Sequence, residues 1–153
     1  MSASEIILKE IPIAAPAHLV WNALTIPRLM KQWMAEPEMK MEIITNWCVG
    51  EPVVIRGFHH IQFENKGIVL KFEPNSILKY SYLSSLSKLP DQPENYTVLE
   101  FRLKPLKENL TLVQLNIRGF PTETIYRHVD FYWTSTLILL KQTIEKNASF
   151  SVN

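Results

Sequence analysis

Cysteine and glycine are scarce in this sequence, and neither sign of charge dominates it. Cys48 is the only cysteine among 153 residues, which excludes an internal disulfide and the cysteine clusters of zinc and iron–sulfur sites. Only four glycines are present, and none forms a phosphate-binding loop motif. Sixteen Lys and Arg against fifteen Asp and Glu give a formal charge of +1, which provides no field to attract nucleic acid. We therefore expect no nucleic-acid partner and no cofactor.

Long apolar runs are also missing. No stretch reaches the length of a membrane span, and the first residues lack the basic and apolar segments of an export signal. With a single cysteine, a reducing cytoplasm is the expected location. A composition of 46% hydrophobic and 20% charged residues is typical of a globular protein, and the length predicts one domain over residues 1–153.

The N-terminal part of the chain predicts one strand followed by two short helices. Residues Glu5 to Ile13 are rich in Ile and Leu, and Pro16 suits an early helical position. A helix is expected over about Ala17 to Leu24. We expect Thr25 to cap a second helix, in which three apolar residues share one side: Leu29, Met30 and Trp33.

From about residue 39 the pattern changes to strands, with β-branched residues concentrated in short runs. The expected strands are MEIIT, PVVIRGF, Gln62 to Phe72 and ILKYSYL. Asn65-Lys66-Gly67 is expected to form a bulge or turn, and Glu73 to Ser76 a turn. The polar stretch from Ser84 to Asn95 is the longest expected loop and a candidate rim or lid.

A hairpin and a long helix follow. Apolar and mostly polar residues alternate from Thr97 to Lys104 and from Val113 to Arg118, with the turn at Lys107-Glu108-Asn109. Thr122 is the expected N-cap of a helix that runs to about Asn147. Its apolar stripe comprises Tyr126, Val129, Trp133, Leu137, Leu140 and Ile144.

This order of elements predicts an α+β helix-grip fold: a curved antiparallel sheet of about six to seven strands around a long C-terminal helix, with two short helices after the first strand. The stretches at 20–34, 66–83 and 128–146 (VWNALTIPRLMKQWM, KGIVLKFEPNSILKYSYL and HVDFYWTSTLILLKQTIEK) resemble the START-like (SRPBCC) superfamily, in the branch named for the activator of the heat-shock-protein-90 ATPase. The resemblance covers nearly the whole chain. It implies a cavity between sheet and helix, which in many such domains binds lipids, polyketides or other apolar molecules.

The candidate ligand-binding residues are the apolar and aromatic groups expected to line that cavity. They are Trp33, Phe58, Tyr80, Tyr82, Phe101, Val113, Leu115, Tyr126, Val129 and Trp133. For each one alone, ordinary core packing is the better-supported interpretation, so only the set is predictive. Arg56 and His60 are candidate polar anchors for a carboxylate or carbonyl at the mouth of the cavity.

Catalytic and metal-binding motifs are not recognisable. The chain has neither a GxSxG elbow nor a Cys/His pair at a suggestive spacing. We expect Cys48 to be an inert thiol among apolar neighbours, and the adjacent His59 and His60 to point to opposite faces of a strand. His18 and His128 are expected at the surface. A solvated edge is expected for the acidic residues Glu36, Glu38, Glu42 and Glu51.

Three classes of function remain. Binding of an apolar small molecule such as a lipid, polyketide or aromatic compound is favoured, and it predicts a cavity of several hundred cubic ångströms. A chaperone regulator, homodimer or other protein-interaction module would expose a contiguous apolar patch. An enzyme of the cyclase or hydrolase kind would need a titratable group with a shifted pKa deep in the pocket.

Overall fold

The computed structural model describes residues 5–152, and side chains as far as residue 149. The strands are β1 (Ile6–Ile13), β2 (Glu42–Thr45), β3 (Pro52–His59), β4 (Ile61–Glu73), β5 (Ile77–Ser84), β6 (Thr97–Lys107) and β7 (Leu110–Arg118). The helices are α1 (Ala17–Thr25), α2 (Pro27–Met34) and α3 (Glu123–Val152). Within the described residues the strands form one curved antiparallel sheet in the order β1-β7-β6-β5-β4-β3-β2. This is the predicted helix-grip fold; residues 1–4 and 153 of the predicted domain lie outside the described residues.

The long helix α3 is held by its apolar stripe. The side chains of the stripe from Val129 onward are buried: Val129, Trp133, Leu137, Leu140 and Ile144. Thr122 caps the helix as predicted, because its Oγ1 accepts a hydrogen bond from the backbone N–H of Ile125 at 3.1 Å. The helix runs to Val152, beyond the predicted end at Asn147, since no glycine or proline follows Pro121 to terminate it. Helix α3 packs on β1, α1 and α2.

The predicted hairpin is formed by β6 and β7. Leu99 pairs with Ile117 and Phe101 with Leu115, and all four side chains are buried on the inner face. The turn is shorter than predicted, because Lys107 already pairs with Leu110. A hydrogen bond from Thr111 Oγ1 to the carbonyl of Ala15 at 2.8 Å ties the hairpin to the start of α1.

Strand β4 corrects one prediction. Asn65, Lys66 and Gly67 do not form a turn; β4 runs through them, and its pairing with β5 shifts register between Val69 and Lys71. Gly67 serves close packing of two strands, since a Cβ at this position would collide with the backbone carbonyl of Ser81 on β5. The predicted turn at 73–76 is confirmed by the hydrogen bond from the Ser76 N–H to the Glu73 carbonyl at 3.0 Å.

The junction of the two short helices corrects another prediction. Thr25 is the last residue of α1 instead of the N-cap of α2, and its hydroxyl donates to the carbonyl of Trp21 at 2.8 Å. Helix α2 begins at Pro27, whose missing N–H is tolerated in a first turn. Trp33 Nε1 donates to the carbonyl of Ala23 at 2.9 Å and so fixes α2 against α1.

Short single-turn helices complete the connections, at Pro37–Met39, Ser85–Ser87 and Pro93–Asn95. The last two lie in the expected long loop. No helix in the described part of the chain is long and apolar enough to cross a membrane.

Candidate binding site

The space between the sheet and α3 is occupied by an aromatic group centred on Trp133. Its ring lies 5.6 Å from Phe101 on β6, 6.1 Å from Trp33 on α2 and 5.2 Å from Tyr132, between ring centroids. The rings meet edge-to-face or tilted, which is the preferred geometry of aromatic pairs. Sheet and helices are therefore joined at this point by close packing.

A second aromatic group covers the sheet next to the connection between β2 and β3. Trp47 stacks on Phe72 at 5.9 Å and lies 6.0 Å from Tyr80, while Phe72 meets Trp21 edge-on at 5.1 Å. Trp47 has a left-handed backbone with φ of 57°, which is unusual for a bulky residue. Its indole N–H donates to the carbonyl of Thr25 at 2.6 Å, and this bond holds the ring over the sheet.

Three tyrosines place hydroxyl groups in this apolar interior. Tyr80 and Tyr82 are two residues apart on β5 and so share a face, and Tyr132 comes from α3. We call these three residues the tyrosine cluster. Tyr82 lies beside Thr97 on β6, and Tyr132 lies beside Thr136 one helical turn further along α3.

The tyrosine cluster is held in its neutral form. Burial raises the pKa of Tyr80, and the neighbouring Tyr82 and Tyr132 raise it further. Burial likewise raises the pKa of Tyr82, with a further contribution from Tyr132, and it raises the pKa of Tyr132. All three hydroxyls are therefore protonated at neutral pH and can donate hydrogen bonds.

Tyr80 is the most deeply buried member of the cluster. Its side chain is 5% exposed, yet its hydroxyl makes no hydrogen bond within the described residues. Every fully enclosed side-chain nitrogen or oxygen of the described residues has a hydrogen-bond partner. The Tyr80 oxygen is therefore in contact with open space, and it retains an unused donor inside the fold.

The predicted lining residues separate into three groups. Seven are buried: Trp33, Tyr80, Phe101, Val113, Leu115, Val129 and Trp133. Tyr82 and Tyr126 are partly buried, and Tyr126 packs edge-on against Phe120 at 5.1 Å. Phe58 is the exception. Its side chain is 50% exposed, because alternation along β3 puts Val53 and Ile55 on the inner face and Phe58 on the outer one.

The candidate polar anchors are not brought to this interior. Arg56 lies on the outer face of β3 and pairs with Glu42 at 3.4 Å, where both side chains are exposed. His60 is exposed at the turn between β3 and β4 and has a φ of 64°. Its ring contacts that of His59, with 4.7 Å between centroids. The left-handed turn brings the two imidazoles together, whereas strand geometry predicted opposite faces.

The remaining candidates lie at the surface. Cys48 is exposed in the connection between β2 and β3, so the expectation of apolar neighbours around it was wrong. His18 and His128 are exposed as predicted, and so are the four clustered acidic residues Glu36, Glu38, Glu42 and Glu51. Among the described residues, no three His, Cys, Asp or Glu side chains are placed to share a metal ion.

Two concavities lie on the outside of the described structure. One, of about 330 Å³, is lined by polar and apolar residues on β1, β6 and β7, among them Leu8, Glu10 and Arg102. The other, of about 300 Å³, lies between α1, α2 and α3 around Asn22, Arg28 and Ile144. Neither is the predicted space between sheet and helix. The predicted cavity stays a prediction.

Three residues of this interior were missed from the sequence: Tyr132, Thr136 and Trp47. Tyr132 and Thr136 lie one residue before Trp133 and Leu137 of the apolar stripe, and they form a second column beside it. A polar column beside an apolar stripe was a usable signal. Trp47 had no comparable signal, since it belongs to no periodic segment.

Helix, sheet and interior together define a helix-grip protein of the START-like type. A family model described as activator of Hsp90 ATPase homolog 1-like protein matches residues 14–145, and the chain belongs to this family. No protein with a curated description matches the sequence.

Solved structures share the fold over nearly the full chain. The solution structure of ChR145 from Cytophaga hutchinsonii is 33% identical and covers 97% of this chain and 99% of its own, with a TM-score of 0.78. The Aha1 dimer from Colwellia psychrerythraea is 23% identical, with coverage of 92% and 96% and a TM-score of 0.72. MLL2253 from Mesorhizobium loti is 22% identical, with coverage of 93% and 98% and a TM-score of 0.73. The last two similarities concern the fold alone.

Proposed function

We propose that the protein binds an apolar small molecule between β5 and α3, with the Tyr80 hydroxyl as its hydrogen-bond donor. The observation that carries this proposal is the Tyr80 hydroxyl, which lies almost wholly inside the fold beside the Trp47 ring, reaches open space and has no hydrogen-bond partner among the described residues. A hydrogen bond between neutral groups contributes about 0.5–1.5 kcal/mol net. A ligand oxygen that accepts the Tyr80 hydrogen bond would gain that free energy, while its apolar body packs against the neighbouring rings.

The proposal requires the interior to make room. Partly buried apolar side chains lie against the core at its edge, including Met34, Met39 and Phe63. Methionine side chains are unbranched and adapt to irregular spaces. At Gly57 on β3, the turn Pro37–Met39 and strand β4 both pack closely against the backbone. A Cβ added to this glycine would lie 3.0 Å from the Met39 carbonyl and 3.2 Å from the Phe63 ring. We propose that Met34, Met39 and Phe63 are the side chains that move to make room for the ligand.

The first experiment is native mass spectrometry of the purified protein, followed by denaturing extraction, to detect an apolar molecule that copurifies. In parallel, a panel of sterols, long-chain alcohols and aromatic ketones is tested for an increase in melting temperature, which mass action requires of any ligand that binds the native state.

Tyr80→Phe removes only the hydroxyl. It is expected to weaken the binding of any ligand that raises the melting temperature about tenfold. Tyr96→Phe is the matched control, since Tyr96 lies in the long loop and donates to Asp91 instead. If no compound copurifies and none stabilises the protein, the proposal is wrong.

A second candidate function is self-association through the outer face of α3. Phe131 is 78% exposed, and Ile138, seven residues further on, and Leu139 are about half exposed, so they form an apolar strip on this helix. The structurally similar Colwellia protein is described as a dimer. Light scattering after size exclusion tests this candidate. Phe131→Glu should abolish the dimer. Leu8→Glu, which replaces a similarly exposed residue on β1, is the control and should leave the dimer intact.

A further inference from the structure

We infer that the ligand is electrically neutral and presents an uncharged oxygen, such as a carbonyl, hydroxyl or ether, to Tyr80. This inference rests on the proposed function and specifies its ligand. It comes from the chemistry of the buried polar side chains. In the described residues the buried polar groups are all uncharged: the hydroxyls of Thr25, Ser81, Thr97, Thr111, Thr136 and Tyr80, and indole N–H groups such as that of Trp33. Tyr82 and Tyr132 are partly buried beside them.

No cation of the described residues is available to a buried anion. The described lysines, arginines and histidines are all partly or fully exposed. Those nearest α3 are already engaged: Lys9 pairs with Asp130 at 2.8 Å, and Lys141 with Glu145 at 2.6 Å. Arg56, the anchor that a carboxylate ligand would use, pairs with Glu42 on the outer face.

A carboxylate or phosphate placed beside Tyr80 would therefore lose its water and gain no counter-charge. The hydrogen bond of one hydroxyl does not offset the desolvation of an ion in an apolar interior. The same reasoning excludes a cationic ligand, since the described aspartates and glutamates are also outside the core. A neutral oxygen loses little water and satisfies the Tyr80 hydroxyl, so it is the group that this interior selects.

The experiment uses two pairs of probes that differ in charge and little else. 2-Acetylnaphthalene is compared with 2-naphthoate, and 1-dodecanol with dodecanoate, by isothermal calorimetry on the full chain at pH 8. In at least one pair the neutral member should bind ten times more tightly than the carboxylate. Lowering the pH toward the pKa of the acid should then strengthen binding of the acid, because its neutral form enters.

Tyr80→Phe provides the internal check. It should weaken the neutral probe about tenfold and leave the carboxylate affinity unchanged, with Tyr96→Phe as the control that alters neither. Carboxylates that bind as tightly as their neutral partners at pH 8 would overturn the inference while leaving the proposed function intact. If none of the four probes binds and the wider neutral panel also fails, the proposed function itself is wrong.

Discussion

The two halves of the sheet are packed to different degrees. From Thr97 to Leu103 in β6 and from Thr111 to Ile117 in β7 every second residue is buried. Strand β4 is longer, with thirteen residues, yet Val69 is its only buried one. Helices cover β1, β6 and β7: α1 contacts β6 and β7, and α3 contacts β1. We call β5, β6 and β7 the dense half and β2, β3 and β4 the sparse half; the edge strand β1, in which only Ile7 and Ile13 are buried among its residues, belongs to neither.

Short turns provide much of the cover over the sparse half. Pro37–Met39 contacts β3, and Trp47 lies over Phe72 and Tyr80 from the connection between β2 and β3. Turns and loops rearrange at lower cost than packed helices. Tyr80 lies on β5, where the dense half meets the sparse half. Its hydroxyl is therefore close to the part of the sheet that is covered by turns. Under the proposed function, the sparse half is the side on which the interior would open for a ligand.

The largest expected effect is on the free energy of unfolding, when one phenylalanine from each half is replaced by alanine. Phe101→Ala removes a side chain that is 1% exposed and contacts Trp133, and it should lower the free energy of unfolding by about 3–5 kcal/mol. Phe63→Ala, on β4, should cost about 1 kcal/mol, because Phe63 is only partly buried. Urea denaturation followed by circular dichroism measures both. Equal losses would show that the sparse half is as tightly packed as the dense one.

A medium effect is expected from alkaline pH at the boundary. The raised pKa values of Tyr80 and Tyr82 mean that the folded state holds these protons more tightly than the unfolded chain. Their contribution to stability is therefore complete below the ordinary tyrosine pKa of about 10 and is lost as the pH rises toward the folded-state values. Unfolding free energy measured across this range should fall less steeply in the Tyr80→Phe/Tyr82→Phe variant than in the wild type. Parallel slopes would contradict the assignment of neutral, buried hydroxyls.

The dense half was predictable from sequence because its signals are periodic. Alternation in the hairpin and the spacing from Val129 to Ile144 each identified a buried face, and both were confirmed. Phe58 was misplaced although Val53 and Ile55 fix its face, because it was chosen for its aromatic character and not for its position in the alternation. The conformation of Trp47 depends on tertiary hydrogen bonds, which no local pattern encodes.

The smallest expected effect concerns the long loop, which side chains fasten to the sparse half at two points. One is Asp91, and the other is Ser85, whose Oγ accepts a hydrogen bond from the backbone N–H of Glu64 at 2.9 Å. Asp91 accepts hydrogen bonds from Lys66 Nζ on β4 and from the Tyr96 hydroxyl, both at 2.6 Å. These two hydrogen bonds lower the pKa of Asp91. Their contribution to stability is therefore complete above the ordinary aspartate pKa and is lost as the pH falls through the lowered pKa.

Asp91→Asn should therefore speed amide hydrogen exchange across residues 84–95 with little change in melting temperature, because all three groups lie at the surface. Glu94→Gln, which removes an acidic charge from the same loop, is the matched control and should exchange like the wild type. If Asp91→Asn also exchanges like the wild type, the loop is held by its backbone turns and by the Ser85 hydrogen bond to β4. In that case the looser packing of the sparse half would be limited to its strands and would not affect the loop that follows β5.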